Sequence, residues 1–336
     1  MRGNLPQPVA ELLTSSRLIA QAKPEGGARP ISIGECLTRL TAKAALAALG
    51  KAARGYFPPL QYGVAVPRGA EAIIHSARTY TDAHPNCLIL QTYISNAFNS
   101  ISRQAIATAL QDPALSPLQP LVKLTYGHPS SLFLDASFSN APLRSERGVR
   151  QGDPLGPLLF AAGIHPALRE TATAQPGVLC LAYADDVSFL GAHRETVAAF
   201  SYFTSQLSQV GLRHNPEKCV AWSNRPIDEA VELPPGVPTS SDGVRLLGSF
   251  LGTSEGATSF LNAQLQAMST PLTLIERMDP QVASLLLTRC ISRRVAYLTR
   301  TTPLHILDSC WCNPTACIRL VVRVRACVCA WNGMRA

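Results

Sequence analysis

The sequence predicts an α+β fold, in which an antiparallel sheet carries helices on one side. Segments with strand and helix periodicity are intermingled, without the regular alternation that builds a doubly wound parallel sheet. The chain has 336 residues, 46% of them hydrophobic, so it is long enough to bury a substantial core. No internal repeat is evident.

The first elements are a predicted hairpin and a predicted helix. In RLIAQAKPEGGARPISIG, residues 17–34, two β-prone arms flank a Pro-Glu-Gly-Gly turn. Residues 35–53 have helical spacing. The apolar stripe of this helix is formed by Leu37, Leu40, Ala44, Ala47 and Ala48. Leu46 and Leu49 lie off the stripe, so we expect the second half of the helix to be buried on more than one face.

The middle of the chain begins with a short apolar strand at residues 88–92, followed by a polar turn. Further elements are predicted in chain order: a helix near 102–111, a helix near 117–126 and a hairpin across 131–145. The turn RQGDPLGP then opens another helix. We expect Pro166 to kink or end the first half of that helix, because proline lacks a backbone donor.

The last third of the chain begins with VLCLAYADDVSFL, residues 178–190, which predicts two apolar strands joined at an acidic pair. The remaining predictions are a helix at 195–210, a Pro-rich loop at 232–238, a strand VRLLGSFLG, and helices near 257–277 and 280–298. The change to helix after Gly252 indicates a second, smaller helical unit.

Charge and hydropathy limit the kind of partner and the cellular location that we expect. Lys and Arg number 30 against 22 Asp and Glu, and the resulting net charge of +8 mildly favours a polyanionic partner. No apolar run approaches the roughly 20 residues of a membrane-spanning helix. The N-terminus lacks the apolar core of a signal peptide, so we expect an intracellular chain, in the nucleus or the cytoplasm, without membrane contact.

The acidic pair Asp185 and Asp186 is the strongest chemical signal. Two adjacent carboxylates on a rigid hairpin repel each other unless a cation lies between them. Taken alone, a tetrapeptide such as YADD is more often a solvated turn. Catalysis of phosphoryl transfer by two Mg²⁺ ions requires carboxylates from at least two chain segments, and the strand at 88–92 is the candidate for the second.

Four further residues have side chains or backbones suited to a nucleotide. Lys23 and Arg29 could clamp a triphosphate, the arginine in bidentate fashion. Gln151 is a neutral donor and acceptor suited to a base edge, and Gly152 allows close backbone approach.

Seven motifs in order resemble the reverse transcriptases of non-LTR (LINE-like) retrotransposons. The motifs are RPISIGECLTRLTAK, QYGVAV, NAFNSISR, QGDPLGPLLFA, YADD, GLRHNPEKC and RLLGSFLG, and they run through most of residues 17–252. The resemblance implies a right-hand polymerase, with partial fingers at 1–85, a palm at 86–252 that includes a fingers insertion, and a partial helical thumb at 253–307. It also implies transfer of deoxynucleotides (dNTPs) to a DNA primer on an RNA template, with Mg²⁺, or Mn²⁺ as an alternative.

The resemblance further implies a role for each matching residue. Asp185, Asp186 and the backbone of Ile94 would be metal ligands. Phe98 would be the steric gate against a ribose 2′-hydroxyl, and Lys218 would protonate the departing pyrophosphate. The pocket residues would be Lys23, Arg29, Gln151 and Gly152. Taken singly, Phe98 would be ordinary core, and Lys23, Arg29 and Lys218 exposed cations.

Tyr93 departs from the family pattern. It occupies the position of the aspartate that bridges both metals, and a phenol is uncharged at neutral pH and bulkier than a carboxylate. Ser95 and Asn99 lie nearby but bring no charge. Loss of a bridging ligand removes about 4 to 7 kcal/mol of transition-state stabilisation, or roughly 10³ to 10⁵ in rate. We therefore expect weak polymerase activity or none.

The C-terminal residues 308–336 have no likeness to the family. Five isolated cysteines earlier in the chain are typical of reduced structural thiols, whereas five more crowd the last 27 residues. The spacing of the latter fits no paired zinc pattern, and we expect a frameshifted or unspliced continuation that is non-native or disordered. The chain thus reads as a truncated copy of an element.

Two alternatives to an active reverse transcriptase stay open. One is a catalytically dead remnant that binds RNA or an RNA/DNA duplex through Lys and Arg. The other is an RNA-dependent RNA polymerase, whose palm also carries an Asp-Asp hairpin. Phe98 and the QGDPLGP motif argue against the latter.

Overall fold

The computed structural model describes residues 5–22, 26–134 and 142–311, with side chains up to residue 308. Within this part of the chain there are two compact units. The first contains the residues up to 73, 87–221 and 227–238, and the second contains 74–86, 222–226 and the residues from 239 onward.

The strands are β1 (Ser16–Ala22), β2 (Ala28–Gly34), β3 (Leu88–Thr92), β4 (Ser130–Phe133), β5 (Leu143–Ser145), β6 (Leu179–Tyr183), β7 (Asp186–Gly191), β8 (Val220–Ser223), β9 (Gly243–Leu246) and β10 (Ser249–Gly252). The helices are α1 (Gln7–Thr14), α2 (Cys36–Tyr56), α3 (Gly69–Ala83), α4 (Ala97–Ser100), α5 (Arg103–Ala109), α6 (Gln119–Tyr126), α7 (Gly156–Ala174), α8 (His193–Gln209), α9 (Ser254–Ile275), α10 (Pro280–Leu286), α11 (Ser292–Thr301) and α12 (Leu304–Trp311).

The central sheet has the strand order β6-β7-β3-β8, and its β6/β7 and β7/β3 pairs are antiparallel. Helices α7 and α8 cover one face of it. Leu88 and Leu90 of β3 and Phe189 of β7 belong to the same buried cluster as Phe160 of α7, and the Phe189 ring meets Phe203 of α8 at 5.3 Å. This arrangement confirms the predicted α+β class.

A second sheet of the first unit has the order β2-β1-β4-β5. The predicted N-terminal hairpin is confirmed, with Ser16 paired to Gly34 and Ala22 to Ala28. The predicted hairpin across 131–145 is confirmed by the antiparallel pairing of β4 with β5.

Helix α2 begins where predicted, but its buried face is not the predicted one. The Glu35 carboxylate accepts a hydrogen bond from the backbone of Leu37 at 2.6 Å and thus caps the first turn. Leu37 and Leu40 of the predicted stripe are 64% and 65% exposed. The buried residues are Ala42, Leu49 and Ala53. Because two of these three buried residues are alanines and the two leucines of the predicted stripe are exposed, apolar spacing alone did not identify the buried face.

Two other expectations about elements concern α7 and the segment VRLLGSFLG. Helix α7 does not end at Pro166 but continues through it, and Pro166 lies on an exposed face while the residues on both sides are buried. The segment VRLLGSFLG is a hairpin of β9 and β10 rather than one strand. Its turn residues Leu247 and Gly248 both have positive φ, 48° and 80°, which reverses the chain in two residues.

The described part of the second unit is mainly helical and includes the predicted C-terminal helices. Its buried cluster includes Leu261, Met268 and Leu272 of α9 and Leu298 of α11. A single π-helical turn at Leu287–Ile291 joins α10 to α11.

Within the described ranges, no helix combines the length and apolar character needed to cross a membrane. The five cysteines whose side chains are described form no disulfide. The five C-terminal cysteines and the predicted non-native tail lie outside the residues whose side chains are described, apart from Asp308 at the start of the tail.

Candidate functional site

The acidic pair lies on a two-residue turn between β6 and β7. Tyr183 pairs with Asp186, so Ala184 and Asp185 form the turn itself. Ala184 has φ of 54°, in the left-handed region that side chains other than glycine seldom adopt. The directions in which both carboxylates leave the hairpin therefore depend on how this turn is held.

Both carboxyl groups are harder to ionise than free aspartate. Burial raises the pKa of Asp185, and the nearby Arg29 guanidinium partly offsets that rise. Asp186 retains accessible surface, yet crowding by protein and then the charge of Asp185 raise its pKa to about 6. A cation between the two groups would relieve both effects.

Tyr93 directly follows β3 and is 40% exposed. Thr92 pairs with Val187, so the register continued by one residue sets Tyr93 beside Asp186. The Lys218 ammonium lies 4.9 Å from the centre of the Tyr93 ring, a cation–π distance. The structure thus brings Tyr93, which departs from the family pattern, next to Lys218, which matches it.

The segment 213–219 fixes the backbone around Tyr93. The Asn215 N–H donates to the Tyr93 carbonyl at 2.8 Å, and the Tyr93 N–H donates to the Cys219 sulfur at 3.3 Å. Ser95 N–H donates to the Arg213 carbonyl. These hydrogen bonds are made by Tyr93 and Ser95, the two neighbours of Ile94. None of them uses the Ile94 carbonyl.

Phe98 lies on α4 and is half-buried. Its ring stacks on Phe160 of α7, with ring centres 4.7 Å apart and planes 17° apart. This stacking fixes the plane of the Phe98 ring and leaves part of the ring accessible.

Gln151 and Gly152 lie against β2. The Ser32 N–H donates to the Gln151 carbonyl at 2.7 Å. Gly152 has φ of 105°, and a Cβ there would lie 2.6 Å from the Ser32 carbonyl oxygen. The close approach that requires glycine is therefore to the protein's own β2 backbone.

Arg150 and Asp153 of the same turn carry a structural role that the sequence did not reveal. Arg150 is buried, donates to the Thr14 carbonyl at 2.6 Å and lies 3.6 Å from the Asp153 carboxylate. The Tyr126 hydroxyl donates to Asp153 at 2.6 Å. A buried arginine with several partners could only be identified once α1, α6 and the turn were assembled.

Gln61 is a second residue that the sequence did not assign. It belongs to the motif QYGVAV, and its side-chain amide is hydrogen-bonded to the backbone of Ala184. The sequence separation of 123 residues hides this contact from any local pattern.

Of the two basic residues predicted to contact a triphosphate, only Arg29 lies among the described residues. Arg29 lies on β2, paired with Gln21, and is close enough to Asp185 to lower its pKa. Lys23 lies outside the described residues.

The oxygen ligands near the acidic turn provide part of a binding site for divalent cations. Among the side chains that are described, no group of three or more His, Cys, Asp or Glu is arranged to hold a metal ion. Asp185 and Asp186 supply two carboxylates, and Tyr93 supplies none. This set suits one cation held by two carboxylates better than a bridged pair.

Comparison with known proteins decides the family. The family model described as reverse transcriptase (RNA-dependent DNA polymerase) matches residues 21–251. The chain belongs to the reverse transcriptase family. Enzymes of this family are generally dependent on a divalent metal.

Curated relatives come from retrotransposons. The SLACS 132 kDa protein of Trypanosoma brucei gambiense is 30% identical over 215 residues, which are 62% of this chain and 18% of that protein. The Pol polyprotein of the R2 element of Nasonia vitripennis is 30% identical over 135 residues, 38% of this chain and 13% of that protein. The R2 polyprotein of Popillia japonica is 25% identical over 191 residues, 53% of this chain and 30% of that protein. The resemblance to non-LTR reverse transcriptases is confirmed, and the chain spans less than a third of each relative.

Solved telomerase structures share the fold. Apo telomerase from Candida tropicalis has a TM-score of 0.53 at 12% identity, covering 75% of this chain and 49% of that one. Telomerase from Candida albicans in complex with a TWJ fragment of telomeric RNA has a TM-score of 0.51 at 11% identity, covering 88% and 57%. The predicted right-hand polymerase architecture is confirmed.

Proposed function

We propose that this reverse transcriptase domain binds an RNA template and a DNA primer, and that Tyr93 makes its nucleotidyl transfer very slow or absent. The observation that carries the proposal is the pair of carboxylates beside an aromatic ring covered by Lys218. A third carboxylate at the ring's position would complete the donor set of the family.

In this proposal Asp185, Asp186 and the Ile94 carbonyl hold a divalent cation, Mg²⁺ or Mn²⁺. Such an ion, when bound, stabilises the charge that develops as a primer 3′-hydroxyl oxygen attacks the α-phosphorus and pyrophosphate leaves. Arg29, together with Lys23, binds the triphosphate of the incoming dNTP. Support comes from the position of Arg29 close to Asp185.

Three other residues shape the nucleotide pocket in this proposal. Phe98 crowds the ribose 2′-hydroxyl, supported by the stacking that fixes its ring. Gln151 and Gly152 line the pocket as part of the turn that β2 holds.

Lys218 has two competing partners under this proposal. The family role requires its ammonium to donate a proton to the departing pyrophosphate. Its position 4.9 Å from the Tyr93 ring supports the view that the ring retains the ammonium. Tyr93 would then weaken catalysis twice, by removing a ligand and by holding the proton donor.

The test is template-primer extension with dNTPs and Mg²⁺, run on the parent chain and on Tyr93→Asp. We expect the variant to extend primers about 10³ to 10⁵ times faster than the parent. Tyr93→Phe, which keeps the ring, and Tyr202→Asp, which adds a carboxylate to another exposed tyrosine, are the matched controls. Neither control should gain activity.

Three results would change the proposal. Equal activity of the parent and Tyr93→Asp contradicts the role given to Tyr93. If neither extends but both bind RNA/DNA heteroduplex in a salt-dependent manner, the remnant that only binds nucleic acid is favoured. Absence of heteroduplex binding in both contradicts the proposal as a whole.

A further inference from the structure

Gln61 is a fully buried glutamine whose side-chain amide is directed at the acidic turn. Its Oε1 accepts from the Ala184 N–H at 2.7 Å, and its Nε2 donates to the Ala184 carbonyl at 3.1 Å. Oε1 also accepts from the Gly63 N–H at 2.9 Å. One amide group therefore satisfies both backbone groups of the residue that precedes Asp185.

The residue held in this way has a backbone conformation that needs support. Ala184 has positive φ without being glycine, and its N–H and C=O cannot follow the regular ladder within a two-residue turn. A side chain that binds both groups at once selects this conformation over other turns.

The flanking backbone positions the amide. The Ala182 N–H donates to the Leu60 carbonyl at 2.9 Å, and the Tyr62 N–H donates to the Ala182 carbonyl at 2.7 Å. A Cβ at Gly63 would lie 2.4 Å from the Ala184 nitrogen, so this position accepts only glycine. The segment 60–63 thus adds to β6 in a single register that brings Gln61 onto the turn.

We infer that Gln61 is a positioning residue, which holds the Ala184 peptide groups and thereby orients the Asp185 and Asp186 carboxylates toward a bound divalent cation. The inference rests on the proposed function only for the cation. The contact with the turn is independent of it.

Three full-length variants test the inference. Gln61→Met has a similar length but forms no hydrogen bonds. Gln61→Glu keeps the acceptor and loses the donor when ionised. Gln119→Met is the matched control, because the Gln119 amide also donates to a distant backbone carbonyl, that of Leu110, away from the acidic turn.

The readouts are amide hydrogen exchange at Ala184, measured by NMR, and Mn²⁺ binding, measured from the EPR signal of the free ion. We expect Gln61→Met to speed Ala184 exchange at least tenfold and to weaken Mn²⁺ binding three- to tenfold. Gln119→Met should change neither. In Gln61→Glu, protection of Ala184 relative to the parent at the same pH should recover as the pH is lowered, because a protonated carboxyl can again donate to the Ala184 carbonyl. The comparison with the parent removes the effect of the titration of Asp185 and Asp186, and a merely space-filling role gives no such difference.

Unchanged Ala184 exchange in Gln61→Met would overturn the inference. Faster exchange with unchanged Mn²⁺ affinity would also overturn it, since the turn would then not orient the carboxylates. If the parent and Gln119→Met bind no Mn²⁺, the proposed cation site fails. In that case the role of Gln61 in holding the turn is decided only by the hydrogen-exchange measurement, that is, by the Ala184 exchange rates of Gln61→Met and Gln61→Glu.

Discussion

At the scale of single residues, the acidic turn is a strained arrangement. Asp185 and Asp186 share one hairpin, and both have a raised pKa: burial raises that of Asp185, and burial and then the charge of Asp185 raise that of Asp186. Without a cation, ionisation of this pair costs folding free energy.

The first prediction concerns this cost. The pKa of Asp186 is about 6 in the folded chain against an ordinary value of 3.8, so the unfolded chain loses this proton first as the pH rises. Stability from this group is therefore present near pH 4 and lost as the pH rises past 6. We expect Asp186→Asn to match the parent near pH 4 and to exceed it in stability at pH 8 without divalent cations.

Denaturant unfolding at both pH values measures the effect. Glu229→Gln, which removes an exposed carboxylate, is the control and should shift stability little at either pH. A variant equally stabilised at pH 4 and pH 8 would show that the ionisation of Asp186 is not the cause.

The second prediction concerns the contact between Lys218 and Tyr93. A cation–π pair at an exposed site contributes about 0.5 to 1 kcal/mol. A double-mutant cycle with Lys218→Met and Tyr93→Ala should return a coupling energy of that size in the free energy of unfolding. The cycle with Tyr93→Phe should return almost none, because the ring remains. A coupling near zero in the alanine cycle would contradict the contact.

At the scale of elements, β2 and the QGDP turn support each other. The third prediction follows from Gly152, where both the positive φ and the Ser32 carbonyl exclude a side chain. Gly152→Ala should destabilise the protein by about 2 kcal/mol or more. Gly50→Ala in α2 is the control, since nothing lies within 4 Å of its added Cβ, and it should stabilise by about 0.5 to 1 kcal/mol. Chemical denaturation of both variants gives the comparison.

The fourth prediction concerns Arg150, the buried cation of the same turn. Arg150→Leu removes the cation beside Asp153 and the donor to the Thr14 and Thr125 carbonyls, so we expect a loss of about 3 to 5 kcal/mol in the free energy of unfolding. Arg144→Leu, at an exposed arginine of β5, should cost less than about 1 kcal/mol. Equal losses would show that Arg150 is not the support of the turn.

Local patterns in the sequence predicted most elements, because apolar spacing and turn residues act over a few positions. The hairpin at 17–34 and the strands around Asp185 follow from such signals. The buried face of α2 did not, since it is set by the elements that pack on the helix and not by the spacing of its leucines and alanines. Gln61 and Arg150 could not be assigned from sequence, because their partners lie far along the chain.

At the scale of the whole molecule, the excess of cations is the property most relevant to a nucleic-acid partner. The chain carries 30 Lys and Arg against 22 Asp and Glu. On α11 and the π-turn before it, Arg289, Arg293 and Arg294 are exposed. Such side chains can neutralise phosphates and release counterions.

The fifth prediction is the salt dependence of RNA/DNA heteroduplex binding. With about three to five phosphate contacts, affinity should fall roughly 40- to 500-fold between 50 and 200 mM salt. Arg293→Gln should reduce the slope of log affinity against log salt by about 0.9. Fluorescence anisotropy with labelled heteroduplex measures both quantities. An affinity that does not change with salt would exclude the phosphate-based binding proposed here.

The short segment at residues 60–63 also has a consequence for association between copies of the chain. Strand β6 is the outermost strand of the central sheet, and unpaired edges of this kind invite other chains to add a strand. The Leu60 carbonyl accepts from the Ala182 N–H and the Tyr62 N–H donates to the Ala182 carbonyl, so both backbone groups of Ala182 at that edge are occupied. The same residues that support the acidic turn therefore cover part of this sheet edge, and a substitution that loosens them is expected to lower solubility as well as cation binding.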